Sequence, residues 1–302
     1  MIKYLKNSEI DFVKWNRCID NASNGIIYAY SDHLDAMSKN WDALVMDDYK
    51  SIMPLTWKKK YGIYYLRQPF FSASLGIFGN HLDGDIVYAF LEAIPARFQY
   101  WDIYLNKGNV FPIKKYSLYL RNNYILNLLP AYSDISDNFS ESHQRNIKTA
   151  VRLGFSIQKN IPIQKVVKLA YQQSKTFSPL KLKDYAEFTE VFKKYQNKEM
   201  ACTYGAFSDD GILKASCAFI FSHGRAYYIM VGNNPAGRKM GASHFMIDRF
   251  IHEYSGTNLI LDFEGSQLPG LARFYRNFGA REEKYPGIKA NRLPAIVKLF
   301  KQ

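Results

Sequence analysis

From Phe155 onward the chain changes periodicity in a fixed order, and that order restricts the fold more tightly than any compositional feature. Phe155–Lys159 reads as a short strand. Pro162–Ser174 reads as a helix because Val166, Val167, Leu169 and Ala170 form an apolar stripe. Leu182–Tyr195 is a second helix, with Tyr185, Phe188, Val191 and Phe192 at helical spacing. Three strands follow, Ala201–Phe207, Ile212–Phe221 and Ala226–Val231, joined through Asp209-Asp210-Gly211 and Ser222-His223-Gly224. A longer helix is expected from about Gly237 to Tyr254, then a strand at Leu259–Phe263 and a helix at Leu268–Phe278. A last strand begins near Arg281, and Pro294–Phe300 has a helical pattern.

The first half offers a fainter version of the same order. Ser8–Ile19 carries a helix-start signal in Ser8 and Asp11, and Ser31–Ser38 is a second helix. Strands are expected at Ala43–Met46, Ser51–Thr56 and Ile63–Leu66. A helix follows at Asp85–Ala93 and a strand at Tyr100–Leu105, then a hairpin from Ser117–Leu120 and Tyr124–Leu128. No sequence identity links the halves, so the repeat is one of pattern. The polar stretch Pro130–Asn138 reads as the linker, which divides the chain into 1–138 and 139–302.

Chemistry concentrates in Leu259–Ala280. The apolar run Leu259-Ile260-Leu261 reads as a buried strand that ends in Asp262-Phe263-Glu264-Gly265. The two carboxylates, spaced by two, leave the strand on one face. A short helix then brings Arg273, Tyr275 and Arg276. Acid, base and cationic groups thus gather at the carboxyl end of a sheet strand, where open α/β sheets bind ligands. Glu264, at the strand end, is the candidate general base for an amine nucleophile, with Asp262 as the second carboxylate. Ion pairing with Arg273, Arg276 or a neighbouring Lys is the plain alternative for both. Tyr275 has two readings: core packing with Leu271 and Phe278, or a general acid.

A second candidate lies after the Ala226–Val231 strand, in Gly232 through Ser243. Small residues at a helix start let unpaired backbone N–H groups face an anion, and Arg238 and Lys239 add positive charge. An ordinary Gly-containing helix start is the alternative.

These two segments carry a family resemblance. Ala272-x-x-Tyr275-x-x-x-Gly279 resembles the fourth-helix motif of the GNAT acyltransferase superfamily, in which a tyrosine at this spacing often protonates the leaving CoA thiolate. Arg238-x-x-Gly241-x-Ser243 resembles the GNAT turn that holds the CoA pyrophosphate, matching two positions and carrying Ser at the third. The resemblance implies acetyl-CoA or another acyl-CoA as co-substrate, held by Asn233, Asn234, Arg238, Lys239, Gly241, Ala242 and Ser243. Asp262-Phe263-x-Gly265, followed by Phe274-x-x-x-Phe278-Gly279, is also similar to the Fem peptidyltransferases. Those are built from two GNAT-like units and move aminoacyl groups from charged tRNA to cell-wall precursors. Ser142–Gly154, with Arg145, Ala150 and Gly154, looks like a further Fem segment. Where the Fem pattern has lysine, this chain has Tyr275. The fold the resemblance implies is α/β (α+β): two tandem GNAT-like units, each a mixed, mostly antiparallel sheet flanked by helices. The first unit lacks a recognisable CoA motif, and the C-terminal residues are candidates to pack back on it.

Charge supports this division. Residues 1–138 hold 15 Lys and Arg against 14 Asp and Glu, while residues 139–302 hold 25 against 13. The basic half suits a polyanion such as a CoA diphosphate, a nucleotide-sugar or an RNA, although on charge alone a solvated basic surface is the readier account. Hydrophobic content of 47% argues against disorder. No apolar stretch reaches the roughly 20 residues of a membrane span, and MIKYLKNSEIDF has no signal-type apolar segment. A cytoplasmic protein is therefore expected. Cys18, Cys202 and Cys217 are far apart, and none of the six histidines shows metal-ligand spacing, so no metal is expected. His244 and His252 read as surface or satisfied histidines.

Three functions remain in view. The first is an N-acyltransferase that moves an acyl group from acyl-CoA to an amine acceptor held in the cleft between units. Arg145, Arg273 and Arg276 are then candidates for substrate binding. The second is a Fem-like peptidyltransferase dependent on aminoacyl-tRNA. The third is a non-catalytic GNAT-fold binding protein.

Overall fold

A computed structural model describes residues 1–112, 115–176, 178–265 and 267–293. In chain order its first elements are β1 (Ile2–Leu5), α1 (Phe12–Asn21), α2 (Ser31–Met37), β2 (Trp41–Met46), β3 (Ser51–Lys60), β4 (Ile63–Arg67), β5 (Phe78–Gly79), α3 (Gly84–Glu92), β6 (Phe98–Tyr104) and β7 (Leu118–Asn127). There follow α4 (Tyr132–Ser136), α5 (Glu141–Arg152), β8 (Ser156–Lys159), α6 (Ile163–Ser174), α7 (Leu182–Asn197), β9 (Ala201–Phe207), β10 (Leu213–Ser222) and β11 (Arg225–Asn233). The last are α8 (Pro235–Lys239), α9 (Ala242–Tyr254), β12 (Ile260–Asp262), α10 (Pro269–Arg276) and β13 (Arg281–Asn291). Pro294–Phe300, expected as a helix, lies outside the described residues.

The chain divides into two units: Met1–Arg121 with the stretch from Lys284, and Asn122–Glu283. The division expected at 138/139 is corrected. Residues 125–127 of β7 already pair antiparallel with β12, and the supposed linker 130–138 holds α4, whose Ile135 is buried in the second core. The hairpin expected over 117–128 is the single strand β7.

In the first unit the strand order is β1-β2-β3-β4-β6-β13-β7, with β5 beside β3. β4 and β6 run parallel, linked through α3, and the remaining registered pairs are antiparallel. Val87, Phe90 and Leu91 of α3 pack with Leu66, Trp101, Ile103 and Ile288 from one face of this sheet. α1 forms because Asp11 caps it through Val13 N and Lys14 N while Trp15, Cys18 and Ile19 line its buried side.

In the second unit the order is β7-β12-β11-β10-β9-β8, antiparallel except for the β11–β12 pair. The strands read from sequence as an antiparallel meander are the buried centre of this sheet. Phe219 stacks on Phe250 of α9 at a centroid distance of 3.9 Å. The long helix expected from Gly237 to Tyr254 is two helices. Gly241 breaks it with φ +76°, and a Cβ there would lie 2.3 Å from the Asn146 carbonyl oxygen of α5. Only glycine allows both the left-handed turn and this approach of two helices. No helix among the described residues is long and apolar enough to cross a membrane.

Candidate functional site

β11 and β12 are parallel partners for three residues only, Arg225–Tyr227 against Ile260–Asp262. Beyond them the chain leaves β12 while β11 continues to Asn233. The ladder opens at this point, and a cavity of about 630 Å³ occupies the gap. Tyr228, Ile229, Val231 and Asn233 line it from β11, Phe263 to Gly265 from the turn after β12, and Leu271, Phe274 and Tyr275 from α10. Gln173, Arg238, Ser243 and His244 complete the wall. A β-bulge sits at its edge: Phe219 pairs with Tyr228 and Ala218 with Met230, so Ile229 is the extra residue on β11. Bulges of this kind leave one residue outside the ladder and recur beside active sites.

The turn after β12 is held from below. Asp262 is 4% exposed. Its Oδ1 accepts from Asn123 Nδ2 at 2.9 Å and from the backbone N of Glu264 at 3.0 Å. Its Oδ2 accepts from Arg225 Nη1 at 2.6 Å, and Arg225 forks onward to Glu283 at 2.8 and 2.9 Å. The sequence offered Arg273 and Arg276 as partners for Asp262; the partner is Arg225, and both of the others are exposed. With its oxygens occupied, Asp262 positions the turn and is not among the cavity-lining residues.

Glu264 is the group so positioned. Its φ is +64°, a strained value for a non-glycine residue, and Gly265 follows at +70°. Gly265 passes so close to Asn122 that a Cβ would lie 2.6 Å from its carbonyl oxygen. Glu264 lines the cavity, and no described side chain hydrogen-bonds to its carboxyl or forms an ion pair with it. Desolvation without a counter-charge pushes it up to about 8.

Tyr275 is 4% exposed, stacked on Phe263 at 4.5 Å and flanked by Tyr124 at 6.1 Å. Burial, and then the neighbouring Glu264, push its hydroxyl well above the ordinary tyrosine range. It is held as a protonated phenol. Of the two sequence readings of Tyr275, core packing is seen in its ring, and the residue also lines the cavity.

The far end of the cavity is polar. Asn233 N donates to Gln173 Oε1 at 2.6 Å, and the Ser243 hydroxyl donates to Asn233 Oδ1. Both amide NH₂ groups are left as donors beside Arg238. Of the other residues expected to hold a cofactor, Asn234 caps α8 through Ala236 N and Gly237 N, while Ala242 is buried in the core. Gly241 serves the α5 contact, and Lys239 is exposed. Thus Asn233, Arg238 and Ser243 reach the cavity, and Asn234, Lys239, Gly241 and Ala242 do not. Arg145 lies on α5 beside a separate cavity lined by Gln144, Lys148 and Arg152.

Gln173, Ile229 and His244 were not singled out by the sequence. His244, expected as a surface or satisfied histidine, is the latter: its Nε2 meets Asn146 Nδ2 at 3.2 Å, and its ring packs edge-to-face on the buried His143 at 4.4 Å, against Phe274. His143 Nε2 donates to the Phe274 carbonyl. Desolvation, and then His143, lower His244 to about 3, so it is neutral at physiological pH. Among the described residues no three potential metal ligands cluster.

No family model matches the chain, and no curated protein matches it in sequence. Solved structures do. FemX superposes with a TM-score of 0.67 at 12% identity, covering 99% of this chain and 100% of its own. A conserved protein of unknown function from Bacteroides thetaiotaomicron gives 0.62 at 11% identity, over 95% and 99%. L-PGS from Bacillus licheniformis gives 0.58 at 10% identity, over 95% and 94%. The chain shares the fold of FemX and L-PGS.

Proposed function

We propose that this chain is an N-acyltransferase whose activated acyl group reacts in the cavity between β11 and β12. The observation that carries this reading is the pairing of Glu264 and Tyr275 on one cavity wall: a carboxyl without a counter-ion beside a phenol held protonated. Amide formation needs both. The acceptor nitrogen loses a proton to the Glu264 carboxylate as it attacks the acyl carbonyl. The oxyanion of the tetrahedral intermediate requires a fixed donor, and the bulge at Ile229 supplies a backbone N–H outside the regular ladder. Collapse breaks the bond to the leaving group, which takes the Tyr275 proton. Glu264 then returns its proton to the phenolate, and the residues are restored.

With acyl-CoA as donor, Arg238 and the amides of Asn233 and Gln173 would hold phosphate oxygens, and the apolar stretch past Val231 and Leu271 would take the thiol arm. The first unit, without an Arg-x-x-Gly turn, takes no donor on this reading. A second reading, with aminoacyl-tRNA as donor, is favoured by one observation. Among the described residues Glu264 is the single uncompensated acid in the cavity, and it suits an α-ammonium as well as an acceptor amine. The Fem-like motifs imply this donor, and FemX shares the fold.

The test is a thermal shift with free CoA, acetyl-CoA and longer acyl-CoAs, followed by transfer assays with acyl-CoA and with charged tRNA. A ligand bound by the folded state alone raises stability by about 2.7 kcal/mol at 100 times its dissociation constant. A shift with CoA compounds supports the first donor. Transfer from charged tRNA with no CoA response supports the second. Absence of transfer from either donor refutes the enzymatic reading.

A further inference from the structure

Gly270 stands where neither the backbone nor the packing asks for a glycine. It is the second residue of α10, its φ lies outside the left-handed region, and a Cβ built on it meets no atom of the surrounding structure within 4 Å. Glycine is a poor helix former, because it loses the most backbone freedom on folding. Gly270 is exposed and lines the cavity beside β11. A side chain at this position would stand in open space at the cavity's mouth, and the chain keeps that space clear.

The same mouth is apolar. Leu268 and Leu271, on either side of Pro269 and Gly270, are 66% and 38% exposed. One turn further along α10 Phe274 is half-buried, and Ile229 and Val231 of β11 line the cavity half-buried as well. A lone exposed leucine is ordinary, but an uncovered apolar set on a concave wall with one polar end marks a ligand surface. Charge narrows the occupant. Among the described residues the charged groups lining the cavity are Arg238, at its polar end, and Glu264. The apolar wall contributes none. A charged acyl group would be desolvated against it without a partner, and a run of methylenes would not.

Resting on the acyl-CoA reading of this site, we propose that the group transferred is an extended aliphatic acyl chain, admitted past the start of α10 because Gly270 carries no side chain. Gly270 is then a specificity-determining residue. The chain covers apolar surface of Leu271 and Phe274 that the fold leaves open, and this burial selects it over acetyl. The transfer step is unchanged. The thioester C–S bond breaks as the amide C–N bond forms, the acceptor's proton passes to Glu264, and the leaving thiolate takes the proton of Tyr275. Chain length enters through binding alone.

The experiment is calorimetry of the full chain with acetyl-, butyryl-, octanoyl- and lauroyl-CoA. Affinity should rise with chain length, by about fourfold for each methylene buried. Gly270→Trp puts an indole at the mouth. It should cost lauroyl-CoA about tenfold or more, the equivalent of two buried methylenes, and acetyl-CoA the least. Gly270→Ala should raise the melting temperature, since alanine is the better helix former and its methyl meets nothing; a fall would show that the space is not open and would overturn the proposal. Melting curves also show whether Gly270→Trp folds. If it does not, Leu271→Ala, which strips apolar surface from the same wall, should weaken lauroyl-CoA more than acetyl-CoA. Three further results overturn the proposal and leave the acyl-CoA reading standing: acetyl-CoA bound as tightly as lauroyl-CoA, an equal loss for all four compounds with Gly270→Trp, or no loss for any. Binding of none of the four by the wild type removes that reading and the proposal with it.

Discussion

Glu264→Gln makes the sharpest test of the site, because stability and activity should move in opposite directions. A carboxyl raised from 4.5 to about 8 makes its charged form at most about 5 kcal/mol more costly in the folded protein. Glu264 opens onto the cavity, and solvent screening there reduces the working figure to ~2 kcal/mol. The sign follows from proton binding. Between pH 4.5 and about 8 the folded chain holds a proton on Glu264 that the unfolded chain has lost. Wild-type stability therefore falls through this window as pH rises, by no more than ~1.4 kcal/mol per pH unit. Glutamine does not titrate. Its advantage over wild type should be smallest near pH 5 and reach ~2 kcal/mol by pH 9, which is ~4–8 °C in melting temperature for a unit of this size. Any constant cost of seating the amide cancels between the two pH values. Melts of both proteins at pH 5, 7 and 9 measure it. A difference that stays constant, or that shrinks with pH, would refute the idea of a desolvated, uncompensated carboxyl. The same variant should lose ~10²–10⁴-fold in transfer rate, and the wild-type rate should rise with pH through about 8 as the carboxylate forms.

Tyr275→Phe keeps the stack on Phe263 and removes only the hydroxyl. It should lower transfer ~10²–10⁴-fold with melting temperature nearly unchanged; a less stable but fully active variant would make Tyr275 purely structural. Arg225→Met leaves the buried Asp262 carboxylate without its cation and should cost about 3–5 kcal/mol in urea unfolding. Gly241→Ala forces a methyl to within 2.3 Å of the Asn146 carbonyl at a left-handed φ; a loss below about 1 kcal/mol in the same assay would contradict the packing of α9 on α5. Arg238→Glu should weaken CoA binding in calorimetry more than Lys107→Glu in the first unit; equal affinities would remove Arg238 from the donor site.

What the sequence made legible was local. β9 falls on Ala201–Phe207, as its apolar pattern indicates, and α7 starts at Leu182, the first residue of its stripe. Glu264 and Tyr275 could be read as neighbours because only eleven positions of chain separate them, and both line the one cavity. The misreadings share a cause in distant contacts. Asn122-Asn123 has turn composition, yet the chain runs straight through it because the Asn123 side chain serves Asp262, far along the sequence. Gly241 reads as part of an anion-holding turn at a helix start until α5 is seen against it. The Arg225 partnership could not be chosen over Arg273 or Arg276 by spacing, because it depends on the parallel register of β11 and β12. Gln173, Ile229 and His244 come from three elements with no shared motif. Only the opening of the sheet brings them to one cavity.

That opening has a physical origin in one residue. Asp262 ends β12 and turns its carboxylate down to Arg225, the residue that begins the parallel pairing on β11. With the side chain anchored there, Oδ1 captures the Glu264 N–H. That N–H is thereby tied into the turn, and the next peptide enters a left-handed turn. The same ion pair thus stops the ladder, creates the gap and fixes where Glu264 stands. Asp262 therefore acts through geometry, and its substitution should differ in kind from that of Glu264. Asp262→Asn keeps an oxygen for the Glu264 N–H but leaves Arg225 with Glu283 alone, so it should lower stability first and reduce transfer only as far as the turn loosens. Glu264→Gln should abolish the pH dependence and leave the fold standing. A variant pair that behaved alike in both assays would mean that the two carboxylates share the chemistry, against a geometry in which Asp262 holds three hydrogen bonds and Glu264, among the described residues, has no side-chain partner.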